Sequence, residues 1–302
     1  MARLLTSSRR GSWSILGAAA LWGTTGVTTQ TIYHFSATNA LSVAFMRMAI
    51  GALILLLLCW RLLGRRMWQA RGRAILLMGF MGVAQAIFQF SYLAAIPYCG
   101  VTIATLIALC AAPVIVVFFS VLFLHAHVSA QILIALACAL AGTILLTGAP
   151  PGAQQSARIL TGVLLSIICA GAYAAVVLGG HALQDCHPLQ VNAASFGLGA
   201  LILLACSLTT HLVVSYPLQS WLLLVYMGCI PTALAYILFQ AGMRSTPAML
   251  TSILTLAEPL TAAILAWLLL GERLSPLGLL GALLLLGTIF LLTRGASSKT
   301  QQ

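Results

Sequence analysis

The sequence predicts an all-α integral membrane protein. Its ten transmembrane helices form two inverted five-helix repeats, with the N- and C-termini cytoplasmic. Three observations lead there. The 302 residues are 62% hydrophobic and 6% charged, with only Asp185, Glu258 and Glu272 acidic. Ordinary globular domains carry roughly 25% charged residues, so this chain cannot wet a soluble surface. Apolar runs of about 20 residues, the length needed to cross a bilayer, recur from end to end. The 14 Lys and Arg, giving a net charge of +11, are shared very unequally between the connecting segments.

The apolar runs fall at 12–32, 38–60, 74–95, 100–124, 129–148, 159–181, 189–213, 219–241, 247–270 and 275–293. Turn and polar residues separate them, as in Tyr33-His34-Phe35-Ser36, Gly64-Arg65-Arg66, Ile96-Pro97-Tyr98, Pro150-Pro151-Gly152 and Gly271-Glu272-Arg273. Backbone groups in lipid must satisfy one another, and runs this long do so as helices. Met1 to Arg10 followed by an apolar run resembles a signal peptide. The run from Ser12 to Ile32 is long enough to span, however, so it is read as a retained first helix.

The basic residues set the orientation. With the N-terminus inside, the inner segments hold Arg3, Arg9, Arg10, Arg61, Arg65, Arg66, Arg71, Arg73, Arg244, Arg294 and Lys299. The outer ones hold only Arg158 and Arg273, and Arg47 lies within a span. Eleven against two places both termini in the cytoplasm. Basic charge is thus a topology signal, and nucleic acid is not an expected partner. Of the eight cysteines, six (Cys59, Cys110, Cys138, Cys169, Cys206, Cys229) sit in apolar runs, and none forms CxxC. They read as small hydrophobes.

The chain also repeats itself. Gly51-Ala52-Leu53-Ile54-Leu55 recurs as Gly199-Ala200-Leu201-Ile202-Leu203. Pro113 and Pro259 stand twelve residues before His125 and Gly271, Ser129 answers Ser275, and Gly142-Thr143-Ile144 answers Gly287-Thr288-Ile289. Trp22 in the first helix answers Tyr173 in the sixth. The repeats cover 12–148 and 159–293. Five helices each is an odd number, so the second repeat enters the membrane inverted. That is the plan of alternating-access transporters with a midplane site.

Two inverted five-helix repeats of this size resemble the EamA-type transporters of the drug/metabolite transporter superfamily. The second half carries most of the likeness, in Tyr236-Ile237-Leu238-Phe239, Ala241, Glu258-Pro259 and Gly271-Glu272-Arg273-Leu274-Ser275. In the first half Trp22-Gly23, Arg47 and Pro113 agree, while His125-Ala126-His127 stands where glycine-glutamate-arginine is expected. The resemblance implies transport of small metabolites. Members carry amino acids, nucleosides and quaternary ammonium compounds, and include exporters of aromatic amino acids and of homoserine and threonine.

Ionisable groups inside a membrane are functional candidates by default, and two qualify. Arg47, roughly 13 Å from the outer end of its helix, can bind a substrate carboxylate or pair with Glu258; otherwise it ties helix carbonyls together. Glu258, the only intramembrane carboxylate, can couple protons, attract an ammonium group, or fix the kink that Pro259 makes. Pro113 and Pro259 are the expected bending points. Helix periodicity aligns further polar and aromatic residues on faces: Gln85, Phe88, Gln89 and Tyr92; Thr232, Tyr236 and Gln240; Trp22, Thr25 and Thr29; Ser166 and Tyr173; Thr251, Thr255 and Glu258. Of these Trp22, Thr25, Gln85, Phe88, Gln89, Tyr92, Tyr173, Tyr236, Gln240 and Thr255 are the cavity candidates. Amides and hydroxyls can bind a zwitterion and rings can hold a cation, although such groups also join helices to one another. Trp60, Trp68 and Trp221 lie near span ends as interface anchors.

No HExxH, P-loop or GxSxG is present. The expectation is a secondary transporter of the inner (plasma) membrane, without cofactor or metal, exporting amino acids or related amphipathic metabolites. An importer of cationic or quaternary-ammonium solutes is the alternative within transport. A polytopic membrane enzyme acting on lipids is the alternative from another class, and three acids supply it poorly. Membrane lipid and a small-molecule substrate are the expected partners, with assembly into a homo-oligomer left open.

Overall fold

In the computed structural model, every regular element among the described residues is helical. The structure describes residues 2–65, 72–124, 128–147, 157–209, 211–270 and 275–298. Arg66, Trp68, Arg71, His125-Ala126-His127, Pro150-Pro151-Gly152, Gly271-Glu272-Arg273 and Lys299 lie outside them. The first half comprises α1 (Ala2–Phe35), α2 (Ala40–Leu63), α3 (Arg73–Leu124) and α4 (Ala130–Thr147). Then come α5 (Ala157–Ala182), α6 (Pro188–Leu208) and α7 (Leu218–Met227), which runs into a π-helical stretch, Gly228–Leu234. The chain finishes with α8 (Ala235–Met243), α9 (Ala248–Leu254), a 3-10 turn Thr255–Ala257, α10 (Glu258–Leu270) and α11 (Pro276–Ser298).

Eight stretches are long and apolar enough to cross a membrane, among them Ala40–Leu63, Arg73–Tyr92, Ala104–Leu122 and Leu218–Met243. Leu53, Phe118 and Leu283 expose more than half of their surface, which lipid tolerates because its tails are as apolar as they are. The apolar helix Ala130–Leu146 is shorter, and α1 is long but interrupted by Ser, Thr and Gly. Local signals set the ends. Asn39 caps α2 by accepting from the Ser42 amide at 2.8 Å, and Gly64, with φ of 53°, closes it.

Several boundaries differ from the sequence expectation: α1 begins at Ala2 rather than 12, α6 ends at Leu208 rather than 213, and the third and fourth runs are not separated. The break at Ile96-Pro97-Tyr98 contains no coil, and helical hydrogen bonding continues from Arg73 to Leu124. The chain nevertheless doubles back, because the Tyr92 hydroxyl meets that of Thr105 at 2.7 Å. Residues thirteen apart on a straight helix would be roughly 20 Å apart. Cys99 lies at the bend, pressed on α5 where Gly162 leaves room: a Cβ there would stand 2.7 Å from that of Cys99. Two spans therefore emerge from one unbroken helical assignment.

Close helix crossings fix the rest. α3 lies along α5, α2 along α6, α4 along α11, and α1 against α8 and α10. Two crossings use facing glycines. On α2, a Cβ at Gly51 would come within 3.3 Å of the Gly228 carbonyl, and on α6 one at Gly199 would come within 3.1 Å of the Gly82 carbonyl. Small residues of this kind let membrane helices touch backbone to backbone. The largest buried cluster fills the middle of the molecule and includes Trp22, Met48, Tyr173, Phe196, Tyr236 and Phe239.

Candidate functional site

The middle of the bundle is where the regular helices break. Pro231 has no N–H and cannot keep an α-helical ladder, and the stretch around it widens into π turns, the Ala235 amide reaching the Ile230 carbonyl five residues back. Further along the chain, α9 tightens into the 3-10 turn just before Glu258-Pro259, and α1 packs against both irregular stretches. α1 reaches that kink because residue 23 is glycine: a Cβ on Gly23 would stand 2.8 Å from the Glu258 carbonyl and 2.9 Å from the Ala262 amide. Trp22 is carried in with it.

The rings gather around Tyr236. Trp22 lies 4.9 Å from Tyr236 and 5.1 Å from Phe239, centroid to centroid, and 6.4 Å from Tyr173. Phe88 packs on Tyr173 at 5.5 Å and Phe196 on Tyr236 at 4.6 Å. Three polar side chains hold α8 in register. Gln85 donates Nε2 to the Tyr236 hydroxyl, Asn192 donates Nδ2 to the Tyr236 carbonyl, and Gln240 donates Nε2 to the Gly180 carbonyl, at 2.8, 2.9 and 2.8 Å. Trp22 Nε1, Gln85 Oε1 and Gln89 Nε2 are buried with no protein partner. Buried polar atoms are normally satisfied, so these two donors and one acceptor, on α1 and α3, call for a ligand or water.

The two intramembrane charges sit beside this wall. Arg47 donates Nε to the Thr232 hydroxyl at 3.0 Å. Glu258 lies in the fields of Arg47, Tyr92, Tyr173, Tyr236 and Cys169. The opposite charges sense each other, yet no direct ion pair joins them.

Trp22, Gln85, Phe88, Tyr173 and Tyr236 meet here through the contacts above, with Thr255 beside Tyr173. Arg47 is held by Thr232, Tyr92 by Thr105, and the Glu258 main chain meets α1 at Gly23. Gln89 is buried on the same α3 face. Thr25 lies one turn above Trp22 and is half-buried, and Pro113 is buried in the return arm of α3. Gln240 sits one turn beyond Tyr236 along α8, where its amide nitrogen is committed to α5. The sequence faces omitted Asn192, Phe196, Phe239, Cys169 and Thr105. A lone Asn in an apolar run was the one available signal.

The ends are closed by different bonds. At one end Ser36 meets Ser220 at 2.5 Å and Thr38 meets Tyr216 at 2.8 Å, while Asn39 donates to the His211 carbonyl at 2.7 Å. Burial raises the pKa of Tyr216, partly offset by its bond to Thr38. At the other end Arg244 donates Nε to the Gln184 carbonyl at 2.8 Å. A separate apolar groove of about 290 Å³ between α2 and α6 is lined by Phe45, Ala49, Ala52, Leu56, Ala200 and Leu204, among others. By helical period it lies on the face of α2 opposite Arg47.

The EamA-like transporter family matches residues 9–148 and again 158–294. The chain belongs to that family, and with it to the drug/metabolite transporter superfamily. It is 32% identical over 297 residues to the "Uncharacterized transporter YwfM" of Bacillus subtilis, covering 95% of each chain. An "Uncharacterized transporter" of Archaeoglobus fulgidus is 31% identical, with 95% of this chain and 97% of that one covered. The "Uncharacterized inner membrane transporter YicL" of Salmonella typhimurium is 29% identical, with 95% and 96% covered. A solved crystal structure superimposes with a TM-score of 0.81 at 19% identity, over 94% of this chain and 98% of that one, a likeness of fold. This EamA protein is a multi-pass membrane transporter of the inner membrane.

Proposed function

We propose that this chain is a ten-helix secondary transporter that exports amino acids or related amphipathic metabolites by alternating access, and that it is not an enzyme. α1 and Ala130–Leu146 supply the ninth and tenth spans. Residues 12–148 and 159–293 are two inverted repeats, with both termini cytoplasmic. The paired glycine crossings favour this: α2 meets the π stretch after α7 just as α6 meets α3, the exchange an inverted repeat requires.

The observation that carries the substrate reading is the separated charge pair. Arg47 spends only Nε on the protein, and Glu258 makes no direct ion pair with it. A zwitterion placed between them offers its carboxylate to the guanidinium and its ammonium to Glu258. The unpartnered Trp22, Gln85 and Gln89 atoms then face its remaining polar groups. The neighbouring rings pack on one another at 4.6–5.5 Å, so an open cage for a quaternary ammonium is less well supported. Both ends are bonded here, by Ser36, Thr38 and Asn39 at one and by Gln240 and Arg244, which fasten α8 to the end of α5, at the other.

The test is a thermal-shift screen of purified protein with amino acids, nucleosides and amines, followed by efflux from proteoliposomes. A ligand bound at a hundred times its Kd adds about 2.7 kcal/mol of stability. An amino acid that raises Tm in wild type and fails to do so in Gln89→Ala and Tyr92→Ala is the expected result. Folded protein that neither shifts nor moves any of these solutes overturns the reading.

A further inference from the structure

Hydroxyls in membrane helices usually turn back on their own helix. Here Thr28, Thr29, Thr31, Thr288 and Thr293 all donate to the carbonyl four residues earlier, at 2.8–2.9 Å. Thr232 is fully buried, and its hydroxyl serves another helix, accepting from Arg47 Nε. Two features of the fold make that contact. The π stretch Gly228–Leu234 carries Thr232 to the α2 side. The Gly51–Gly228 crossing then brings the helices so close that a Cβ on Gly51 would stand 2.6 Å from the Thr232 methyl.

We propose that Thr232 is the positioning residue for Arg47: by holding Nε, it fixes the plane of the guanidinium so that the two terminal NH₂ groups face the carboxylate end of the transported solute. The proposal rests on the reading of Arg47 and Glu258 given above. A guanidinium is planar, and pinning one of its nitrogens leaves rotation about a single direction. Bidentate recognition of a carboxylate depends on that plane, because the two N–H bonds must lie parallel to the two oxygens. A hydroxyl suits the task better than a carboxylate would. It accepts one bond without neutralising the cation, so the charge stays available to the solute. Placement on a π turn couples the anchor to the bending of the α7–α8 span, and a shift of that span moves Thr232 and the guanidinium together.

The experiment compares each free acid with its carboxamide. L-Leucine, L-phenylalanine and L-threonine, each against its amide, are bound to purified wild type, Thr232→Val and Thr232→Ser, with Kd measured by calorimetry. Thr232→Val keeps shape and removes the acceptor, and Thr232→Ser keeps it. Wild type and Thr232→Ser should prefer the acid, and Thr232→Val should lose roughly tenfold of that preference, the scale of one charge-assisted bond held in poor geometry. Binding of the amides should be unchanged, which a general loosening of the bundle would not produce. If the valine variant fails to fold, Thr232→Ala carries the same comparison, because it adds no bulk at the crossing. Acid preference in the variants equal to wild type overturns the positioning role and leaves the site reading standing. Wild type that binds neither acids nor amides overturns both.

Discussion

The two glycine crossings are the same joint built twice, and only one of them carries charge. At the first, Gly51 of α2 meets Gly228, and one turn before Gly51 stands Arg47, bonded to Thr232. At the second, Gly199 of α6 meets Gly82, and one turn before Gly199 stands Ser195, which donates to the Met78 carbonyl at 3.2 Å. The partner of α2 is opened into π turns around Pro231, whereas α3 passes Gly82 as an ordinary α-helix. The two crossings thus share a packing solution, and the charged side chain stands at one of them. Close approach of backbones is a scaffold property, and the mid-membrane arginine with its π-turn anchor is an addition to it.

Breaking the charged joint should cost most. Arg47→Ala removes one member of the separated pair, and leaving the solute's charged end unpaired costs about 2–5 kcal/mol. Transport in proteoliposomes should fall at least about thirtyfold, with the purified protein still monodisperse. Arg47→Lys should not restore it, because a single ammonium cannot hold Thr232 and a carboxylate in the same geometry. Retention of near wild-type flux in either variant would remove the distinction between the joints.

The scaffold component should be equal on both sides. Gly228→Val and Gly82→Val each drive a side chain into backbone or a packed neighbour; a Cβ at Gly82 would stand 3.0 Å from the Ser195 carbonyl. Each should destabilise by about 1–3 kcal/mol, read as a lowered Tm in detergent. A loss at one crossing alone would mean that the joints are not equivalent. The smallest effect belongs to Ser195→Ala, which should cost about 0.5–1.5 kcal/mol and leave flux within about twofold of wild type. A transport defect as large as that of Arg47→Ala would place function at the second joint as well.

Much of this is legible in the residues, for reasons that also mark the limit. Hydropathy and charge placement report what lipid demands of each segment, so runs such as 38–60 and 219–241 map closely onto α2 and the α7–α8 span. Period 3.6 reports direction around a helix, and it brings Trp22, Tyr173, Tyr236 and Gln85 to one centre. It does not report depth or the identity of a partner. Gln240 shares the Tyr236 face but lies a turn lower, where the nearest acceptor is a carbonyl of α5. Phe196 and Phe239 look like any lipid-facing phenylalanine until helix packing encloses them. Pro113 and Pro259 are the bending points read from sequence, while the widening at Pro231 is not legible there, because whether a membrane proline bends the helix or widens it depends on the neighbours that stabilise the freed groups. The sequence break between the runs 74–95 and 100–124 contains Cys99, where α3 presses on Gly162.

The latch between α8 and α5 has one further consequence. Gln240 and Arg244, four residues apart, grip the carbonyls of Gly180 and Gln184, also four apart. Its acceptors are main chain, and every residue type supplies them. Substitution can therefore erase the donors on α8, while on α5 only the bulk of a side chain at position 180, where Met243 and Gln240 crowd in, can disturb the grip. A genetic screen for loosened gates should return hits that are lopsided, many in one helix and almost none in the helix it holds.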